Sequence, residues 1–387
     1  MKSKIHIVMR NDLVILPPMQ SLITVLLEKG VQVHFLGKCS DIERKSYFAR
    51  LGVVFEDVIY TPQDKIYKTL LEQIRYRRLL KQYLSVNMNN DTDIIWFEYS
   101  DMAYIVYDIF KNYDYLIHFY EFQNLKYSWK FQLMYHRYSM VDFVKTAKAV
   151  IHCEYNRAHI TRGLCALKSL PFVLPNKPYP DDIDFSNTPS EVFDLVDSLK
   201  RKIVDKKVIL YQGIFAPNER RLDEFCDAIE QMSNEYVLIA MGHGGKYFED
   251  LKKKYASVKI IFIPFIKSPY HLLVTQLAHV GVLSYFPLNG SYAGVLNPLY
   301  CAPNKIFEYS KFGIPMLSND LPGLRSMYLE YGCGEIVQYP ITPNSIVNAL
   351  LRIFNNYENY SKGAHHFYSS VDFKGNTSVN FYRKIKS

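Results

Sequence analysis

The sequence lacks the patterns that mark several common classes of functional site. Its six cysteines form no Cys-x-x-Cys pair, and no cysteine and histidine spacing suits a zinc ion. A Walker A loop, a Gly-x-Ser-x-Gly nucleophile elbow, a His-Glu-x-x-His pair and a zinc-deaminase signature are also missing. Since no carboxylate pair stands out as a divalent-metal site either, we expect the protein to need neither a metal nor a cofactor.

Long apolar segments are absent as well. No run of about 18 apolar residues occurs, so no segment is expected to span a membrane. The first residues, 1–4, lead directly into a strand pattern without the apolar stretch and cleavage site of a signal peptide. Scattered cysteines in a chain of 387 residues suggest reduced thiols, and together these features predict a cytoplasmic protein.

Basic residues, by contrast, are concentrated in one segment. The net charge is +8, and Lys65–Leu84 holds six basic residues against one acid, Glu72. Ile66, Leu70 and Ile74 recur every four residues there, so we predict a basic amphipathic helix. Such a helix either docks on an anionic membrane surface or presents a solvated face, and both interpretations stay open. Nucleic acid is not an expected partner, because no helix-turn-helix, zinc-finger or RNP pattern accompanies the cations.

Short apolar segments alternate with helical patterns along the whole chain, which is typical of doubly wound parallel sheets. A stretch with four prolines, 171–182, interrupts the alternation, and the pattern then restarts. The predicted strands are Ile5–Met9, Val31–Leu36, Val53–Tyr60, Asp93–Tyr99, Tyr115–Glu121, Ala149–Tyr155 and Phe172–Leu174, followed by Lys207–Gly213, Glu235–Gly242, Val258–Phe265, Val280–Phe286, Pro315–Ser318 and Glu335–Tyr339.

We therefore predict an α/β fold of two Rossmann-like domains that face each other across a cleft. The first domain covers residues 1–175, and 176–205 form a linker with the first helix of the second domain. The second domain covers 206–365, and the tail, 366–387, could cross back to the first. In such sheets ligands bind beyond the carboxyl ends of the strands, so the residues that follow strands are the candidates for a site.

One candidate site begins at Asn304 and Lys305, where the pattern predicts the start of a helix. Backbone N–H groups at a helix start favour an anion, and the lysine adds a positive charge. Glu308 lies about one turn further along and faces nearly the same way as Lys305. A cation for phosphate beside a carboxylate for sugar hydroxyls suits a nucleotide-sugar site. The alternative is a surface helix that ends at Gly313.

Two loops of the second half are further candidates. Gly213 follows a strand and allows close backbone approach, and Arg220 comes where the next helix is expected to begin. A guanidinium at a helix start is a strong diphosphate clamp, although a surface arginine is the alternative interpretation. Gly242, His243 and Gly244 form a glycine-rich turn after the following strand, which by itself is a weak signal for ligand binding.

In the first half, His118 and Glu121 are the candidate catalytic residues. Either could act as a base or orient a substrate hydroxyl if the strand ends near Phe119, since residues an odd number apart point to opposite faces within a strand. A structural role for the acid is the alternative. Asp101, after another strand, is predicted to be a helix N-cap. The segment Arg10–Asp12, after the first strand, could line the cleft.

These segments resemble the retaining glycosyltransferases of the GT-B fold, in the large family 4 group that builds bacterial surface polysaccharides. The resemblance extends over nearly the whole chain in the order of its elements and is most specific over Leu210–Arg325. The segments that carry it are Tyr211-Gln212-Gly213, Glu219-Arg220-Arg221-Leu222, Ala302-Pro303-Asn304-Lys305-Ile306-Phe307-Glu308-Tyr309, Pro175-Asn176-Lys177-Pro178 and Tyr120-Glu121.

The resemblance implies transfer of a sugar from a nucleotide-diphosphate donor, UDP-linked by preference, to a hydroxyl of a growing glycan. Arg220 and Lys305 would hold the diphosphate, and Glu308 would bind the ribose hydroxyls. Asn304 and the turn Gly242–Gly244 would lie near the donor phosphates or sugar. The family typically needs no metal.

On the acceptor side, the resemblance implies that His118 and Glu121 lie near the reaction centre. The acceptor is expected to be lipid-linked at the inner face of the cell membrane. The basic helix Lys65–Leu84 and the aromatic and basic stretch Lys126–Lys148 would hold the protein there as a peripheral protein.

One departure from the family pattern leaves alternatives open. Many members carry a Glu-x7-Glu pair, but Tyr300 stands where the earlier acid would fall. The donor sugar and the stereochemical outcome are therefore not determined by the resemblance. A nucleotide-sugar 2-epimerase of the same fold and a non-catalytic partner subunit are the alternative functions.

Overall fold

The computed structural model describes residues 4–123, 139–288 and 290–375. The chain divides into two compact units, one of Met1–Pro180 with Asp372–Ser387 and one of Asp181–Val371. The boundaries predicted from the sequence, at 175 and 365, fall a few residues before the points where the chain passes from one unit to the other, after Pro180 and after Val371. Residues 124–138 of the aromatic and basic stretch, and the tail after 375, lie outside the described residues.

The first unit contains a seven-stranded parallel sheet in the order β3-β2-β1-β4-β5-β6-β7. Its elements are β1 (Lys4–Val8), α1 (Pro17–Glu28), β2 (Gln32–Leu36), α2 (Ile42–Arg50), β3 (Val54–Glu56), α3 (Ile66–Asn87), β4 (Asp93–Glu98), α4 (Ala103–Phe110), β5 (Tyr115–Phe119), α5 (Met140–Lys145), β6 (Ala149–His152), α6 (Tyr155–Leu164) and β7 (Phe172–Val173).

Strand β4 shows why these segments form a central sheet. All six of its residues are buried, as expected for a parallel strand covered by helices on both faces. Trp96 packs into the core that includes α1, whereas Phe97 packs into the core that includes α3. Because side chains alternate along the strand, β4 contributes side chains to two separate apolar cores.

The second unit contains a six-stranded parallel sheet in the order β10-β9-β8-β11-β12-β13. Its elements are α7 (Ser190–Lys202), β8 (Lys207–Ile214), α8 (Asp223–Gln231), β9 (Tyr236–His243), α9 (Gly245–Lys254), β10 (Ile260–Pro264), α10 (Leu272–Thr275), β11 (Val280–Leu283), α11 (Tyr292–Leu299), α12 (Lys305–Lys311), β12 (Met316–Asn319), α13 (Pro322–Tyr331), β13 (Gly334–Val337), α14 (Pro343–Asn355) and α15 (Tyr357–Ser370). A short helix, α16 (Phe373–Gly375), belongs to the first unit.

Each predicted strand coincides with an observed strand, and the differences are at the ends. The segment predicted as Val53–Tyr60 forms a ladder only over Val54–Glu56. Val58 and Tyr60 are nevertheless buried, because they pack into the core of α3 rather than pairing with a strand. An apolar pattern in the sequence indicates buried residues, and here the buried residues continue beyond Glu56, where the pairing of β3 with β2 ends.

Helix α3 begins one residue after the predicted start, but its apolar face differs from the predicted one. The buried residues include Tyr76, Leu80 and Leu84, whereas Ile66 and Ile74 are exposed. The regular spacing of Ile66 and Ile74 therefore marks an exposed apolar row rather than the core contact. None of the helices in the described residues is long and apolar enough to cross a bilayer.

Candidate functional site

Helix α12 begins at Lys305, as the sequence predicts, and Asn304 is its N-cap residue. The Lys305 Nζ lies 4.7 Å from the ring centre of Tyr211 and 5.0 Å from that of Tyr285. Both rings are buried, so the ammonium lies against aromatic faces in a partly dehydrated environment. The helix start thus presents a cation whose hydration shell is incomplete.

Arg220 brings a second cation to the same ring. It lies in a tight loop between β8 and α8, where its backbone pairs with Ala216, and not at the helix start, which falls at Asp223. Its guanidinium carbon lies 5.6 Å from the ring centre of Tyr285. Burial, and then the charge of Arg220, lower the pKa of Lys305 to about 7. Two cations on one ring repel each other, and a bound anion would relieve that repulsion.

The carboxylate of Glu308 is held by contacts on both oxygens. Gln212 Nε2 donates to Oε2 at 2.5 Å, and His271 Nε2 lies 3.3 Å from Oε1. Thr275 Oγ1 donates to Gln212 Oε1 at 2.8 Å and so orients the amide. Burial raises the pKa of Glu308, but the His271 and Gln212 contacts and the Lys305 charge outweigh it and lower that pKa below its ordinary value. Glu308 is therefore an ionised acceptor at neutral pH.

The glycines predicted to bind a ligand have a structural role, because they allow the close approach of β8 and β9. Gly213 and Gly242 are register partners, and a Cβ on Gly242 would lie 1.8 Å from the Gly213 carbonyl oxygen. A Cβ on Gly244 would lie 2.4 Å from the Phe215 side chain. A Cβ on Gly213 would instead lie 3.2 Å from Lys305 Nζ. Of the three glycines, Gly213 alone borders the cation pair.

His243, the last residue of β9, is exposed and lies edge-on to Phe265, with ring centres 5.4 Å apart. No contact joins it to Lys305 or Glu308 in the part of the chain that the structure describes. The geometry thus brings together Lys305, Glu308, Arg220 and Gly213, with Asn304 beside them. It leaves His243 outside that group, so its predicted ligand contact rests on the resemblance alone.

The two candidates of the first unit occupy opposite environments. His118 is 1% exposed within β5, with its ring centre 4.1 Å from that of Tyr120 and 5.9 Å from that of Trp96. Burial lowers the pKa of His118 to about 3, so the ring is neutral at physiological pH. Glu121 is exposed, two residues beyond the end of the strand at Phe119. Glu121 can reach a substrate directly, whereas His118 cannot do so in this conformation.

The predicted N-cap role of Asp101 is wrong. Helix α4 begins at Ala103, and Met102 is the N-cap residue. The Asp101 carboxylate instead accepts a 2.5 Å hydrogen bond from Arg10 Nη1. The helix begins one residue later than an Asp101 cap requires, so Asp101 lies just before the N-cap residue, and its carboxylate pairs with Arg10 from the loop after β1.

Several residues around Glu308 and Lys305 were not predicted. Tyr285 is the platform for both cations, yet in the sequence it reads as part of an apolar strand. His271 is the N-cap residue of the short helix α10 and Thr275 is its last residue, and neither carries a local signal. Only Gln212, which lies in the segment Tyr211-Gln212-Gly213, could have been singled out from the sequence. Across the described residues no three His, Cys, Asp or Glu side chains gather as metal ligands could.

Solved structures of the same architecture match the whole chain. A glycosyltransferase from Rickettsia africae ESF-5 gives a TM-score of 0.70 at 11% identity and covers 100% of this chain and 98% of its own. HepE (Alr3699) of Anabaena, solved with UDP-glucose, gives 0.66 at 13% identity and covers 99% and 98%. The lipopolysaccharide outer core galactosyltransferase WaaB gives 0.62 at 13% identity and covers 99% of each. No family model and no curated protein matches the sequence significantly.

At these identities the likeness concerns the fold. The neighbours are glycosyltransferases of the GT-B fold, and the two parallel sheets of seven and six strands are those of that fold. The predicted α/β GT-B fold class is therefore confirmed.

Proposed function

We propose that the protein is a glycosyltransferase that moves a sugar from a nucleotide-diphosphate donor, UDP-linked by preference, to a hydroxyl of a growing glycan. The observation that carries the proposal is the pair of cations, Lys305 and Arg220, on the ring of Tyr285. A diphosphate is the anion that would relieve their repulsion, and the ionised Glu308 would accept hydrogen bonds from the ribose hydroxyls. HepE, a structural neighbour, was solved with UDP-glucose, which supports this donor class.

In the proposed reaction the bond between the sugar C1 and the diphosphate oxygen breaks, the acceptor oxygen bonds to C1, and the hydroxyl proton of the acceptor passes to solvent. The diphosphate leaves with the electron pair and gains negative charge. Arg220 and Lys305 would stabilise that charge, which is the task that a metal performs in other transferases, so we propose a metal-independent enzyme. The retaining outcome that we propose rests on the family resemblance, and Tyr300 stands where the earlier acid of the family pattern would fall.

The acceptor is proposed to be a lipid-linked saccharide in surface polysaccharide or glycoconjugate assembly. Support comes from α3, which exposes Tyr67, Leu71 and Ile74 together with Arg78 and Lys81 on one side of the helix. Exposed apolar residues interleaved with cations suit the surface of an anionic bilayer. We place the protein at the cytoplasmic face of the cell membrane on this basis. Glu121, exposed beyond β5, is proposed to orient the acceptor. His118 is proposed to act indirectly, through its packing against Tyr120 and Trp96.

A nucleotide screen tests the donor site. Thermal unfolding would be followed with UDP, GDP, dTDP and CMP in the presence of EDTA, because a bound ligand raises the melting temperature by mass action. We expect a rise with UDP that disappears in Lys305→Ala. Lys252→Ala, an exposed lysine of α9 paired with Glu249, is the matched control and should respond as the wild type does.

Product analysis then separates the three functions. Sugar transfer to a lipid-linked acceptor from membrane extracts supports the glycosyltransferase. Interconversion of the donor without an acceptor points to an epimerase. If no nucleotide binds at all, the donor assignment fails and a non-catalytic partner subunit becomes the better interpretation.

A further inference from the structure

Tyr285, whose ring faces both donor-site cations, lies just beyond the end of a strand. Strand β11 ends at Leu283, and the register partner of that residue on β12 is Ser318. Tyr285 therefore lies outside the backbone ladder that joins β11 to β12. A buried residue past the end of a ladder still has a backbone N–H and C=O to satisfy, so other groups have to pair with them.

The side chain of Asn319 provides that pairing. Asn319 is the last residue of β12 and is fully buried. Its Oδ1 accepts a 3.2 Å hydrogen bond from the Tyr285 backbone N–H, and its Nδ2 donates to the Tyr285 carbonyl oxygen at 2.5 Å. These partners fix the orientation of the amide, since a backbone N–H only donates and a carbonyl only accepts. The carboxamide thus takes the place of a peptide group on a neighbouring strand.

The amide of Asn319 is itself held in one orientation. Besides its two contacts with Tyr285, its Nδ2 donates to the Tyr339 hydroxyl at 2.9 Å. The carbonyl oxygen and both amide hydrogens of the side chain are therefore engaged. A buried polar side chain with this degree of satisfaction is rigid, because any other rotamer would leave buried groups without partners. Asn319 can consequently act as a fixed support for the tyrosine backbone.

The loop that carries Arg220 is tied to the same short segment. Ser284 Oγ donates to the Arg221 carbonyl oxygen at 2.6 Å, and the Phe286 backbone N–H donates to the Glu219 carbonyl oxygen at 2.7 Å. The two donors belong to the residues on either side of the tyrosine, and the two acceptors to the residues on either side of Arg220. The position of the guanidinium is therefore coupled to the position of the tyrosine backbone.

The second cation depends on the same tyrosine through its ring. The ring centre of Tyr285 is 5.0 Å from Lys305 Nζ and 5.6 Å from the guanidinium carbon of Arg220. Attraction between a cation and an aromatic face is effective within about 6 Å, so a small displacement of the ring would weaken both contacts. A shift of the tyrosine backbone would thus change the spacing between the two charges.

We propose that Asn319 is a positioning residue of the donor site, whose carboxamide fixes the backbone of Tyr285 and thereby the spacing of Lys305 and Arg220 for a nucleotide diphosphate. The identity of that anion rests on the proposed function. Asn319 acts through the tyrosine and does not contact the ligand, because it is fully buried and its amide is engaged. Cations that are already spaced for the anion lower the cost of ordering the site on binding.

The first test needs no nucleotide. Acetic anhydride reacts with neutral amines, so the pH dependence of Lys305 acetylation in the full chain, followed by mass spectrometry, reports the pKa of this lysine. Arg220, Glu308 and Cys301 are the charged and titratable groups that act on it, and the wild-type midpoint should lie at about 7. In Asn319→Leu we expect a higher midpoint, because Arg220 moves away and water reaches the ammonium.

The second test is UDP binding, measured by isothermal titration calorimetry. At pH 7, Asn319→Leu should bind UDP roughly tenfold more weakly than the wild type, because the cations are no longer preorganised. The difference should shrink toward pH 9, where the wild type loses the charge of Lys305 and the variant keeps more of it. If the variant were only less stable, its folded form would keep the wild-type midpoint and pH profile.

Two further variants make the comparison decisive. Ser318→Ala is the matched control, since Ser318 precedes Asn319 in β12, is equally buried and alternates to the other face of the sheet. It should match the wild type in both measurements. Asn319→Thr is neutral, suits a strand and keeps a hydroxyl that can make one of the two contacts with Tyr285. It replaces Asn319→Leu if that variant does not fold, and should give smaller changes in the same directions.

The possible outcomes separate the positioning role from the donor assignment. An unchanged Lys305 midpoint in the folded Asn319 variants overturns the positioning role, whether or not UDP binds. Equal UDP affinities of the wild type and the Asn319 variants overturn it as well. If the wild type does not bind UDP while the midpoint rises in the variants, Asn319 does position the cations and the donor assignment fails instead.

Discussion

The side-chain amide of Gln212 donates a 2.5 Å hydrogen bond to the carboxylate of Glu308, and so joins the end of β8 to the first turn of α12. The same amide accepts from Thr275, which prevents it from rotating. Glu308 is consequently held in one orientation before any ligand binds. Such preorganisation lowers the entropic cost of binding a ribose.

Removing that support should weaken nucleotide binding. In Gln212→Ala, Glu308 keeps its charge but loses a hydrogen bond worth about 1–3 kcal/mol. We expect UDP affinity, measured by isothermal titration calorimetry, to fall roughly tenfold. Gln276→Ala changes an exposed glutamine of the same unit and serves as the control. Equal affinities for the two variants would argue against a positioning role for Gln212.

UDP binding should depend on pH through Lys305. The pKa of Lys305 is about 7 in the free protein, and a bound diphosphate favours the cation. Binding above pH 7 must therefore take up a proton, so affinity should fall as pH rises from 7 to 9, by up to about tenfold per pH unit. Titration calorimetry in buffers of different ionisation enthalpy measures the uptake. Lys305→Met should bind weakly with a flat profile, and a flat wild-type profile would contradict the assignment.

Gly242 should be needed for strand pairing itself. In Gly242→Ala the new Cβ would meet the Gly213 carbonyl oxygen, at a backbone φ of 150° that favours glycine. We expect the free energy of unfolding without nucleotide to fall by about 3 kcal/mol. Gly163→Ala in α6 meets nothing within 4 Å and should raise stability by about 0.5–1 kcal/mol. A Gly242→Ala variant as stable as the wild type would show that strand pairing does not need this glycine, and would favour a role in ligand binding instead.

Acid should destabilise the first unit through His118. Its pKa is about 3 when folded and 6.5 when unfolded, so the unfolded state alone binds the proton between these values. Stability is then full above pH 6.5 and falls by about 1.4 kcal/mol per pH unit as pH drops toward 3. His118→Phe should show a correspondingly shallower dependence. Urea unfolding from pH 7 to 5, followed by tryptophan fluorescence, measures it. Parallel pH profiles for the two proteins would rule out this contribution.

Charge reversal on α3 should weaken membrane docking. Arg78 and Lys81 are exposed, whereas Arg75 and Arg77 are paired with Glu72 and Asp108. Arg78→Glu with Lys81→Glu should reduce binding to vesicles that contain anionic lipid by about 1 kcal/mol or more per residue. Sedimentation with vesicles of roughly 30% phosphatidylserine, and with neutral vesicles for comparison, measures the loss of binding. Lys253→Glu in α9 is the control, and an equal loss in it would indicate a nonspecific charge effect.

The sequence determined the architecture because parallel strands buried on both faces must be apolar throughout. The strands appear where apolar runs occur, and the start of α12 follows from Asn304 and Lys305. Lys305, Glu308, Arg220 and Gly213 could all be singled out because each lies near the end of a strand, in the loop after one, or in the first turn of a helix. These are local properties, and neighbouring residues are enough to define them.

Only the tertiary structure decided which of these residues act together. Tyr285 joins Lys305 to Arg220 because α12 and the loop after β8 meet at one sheet edge. Glu98 and Asn11 meet because β1 and β4, far apart in sequence, are neighbours in the sheet. His118 is buried because β5 is covered on both faces. Spatial proximity and burial depend on which strands pair and which helices cover them, and no local pattern encodes that.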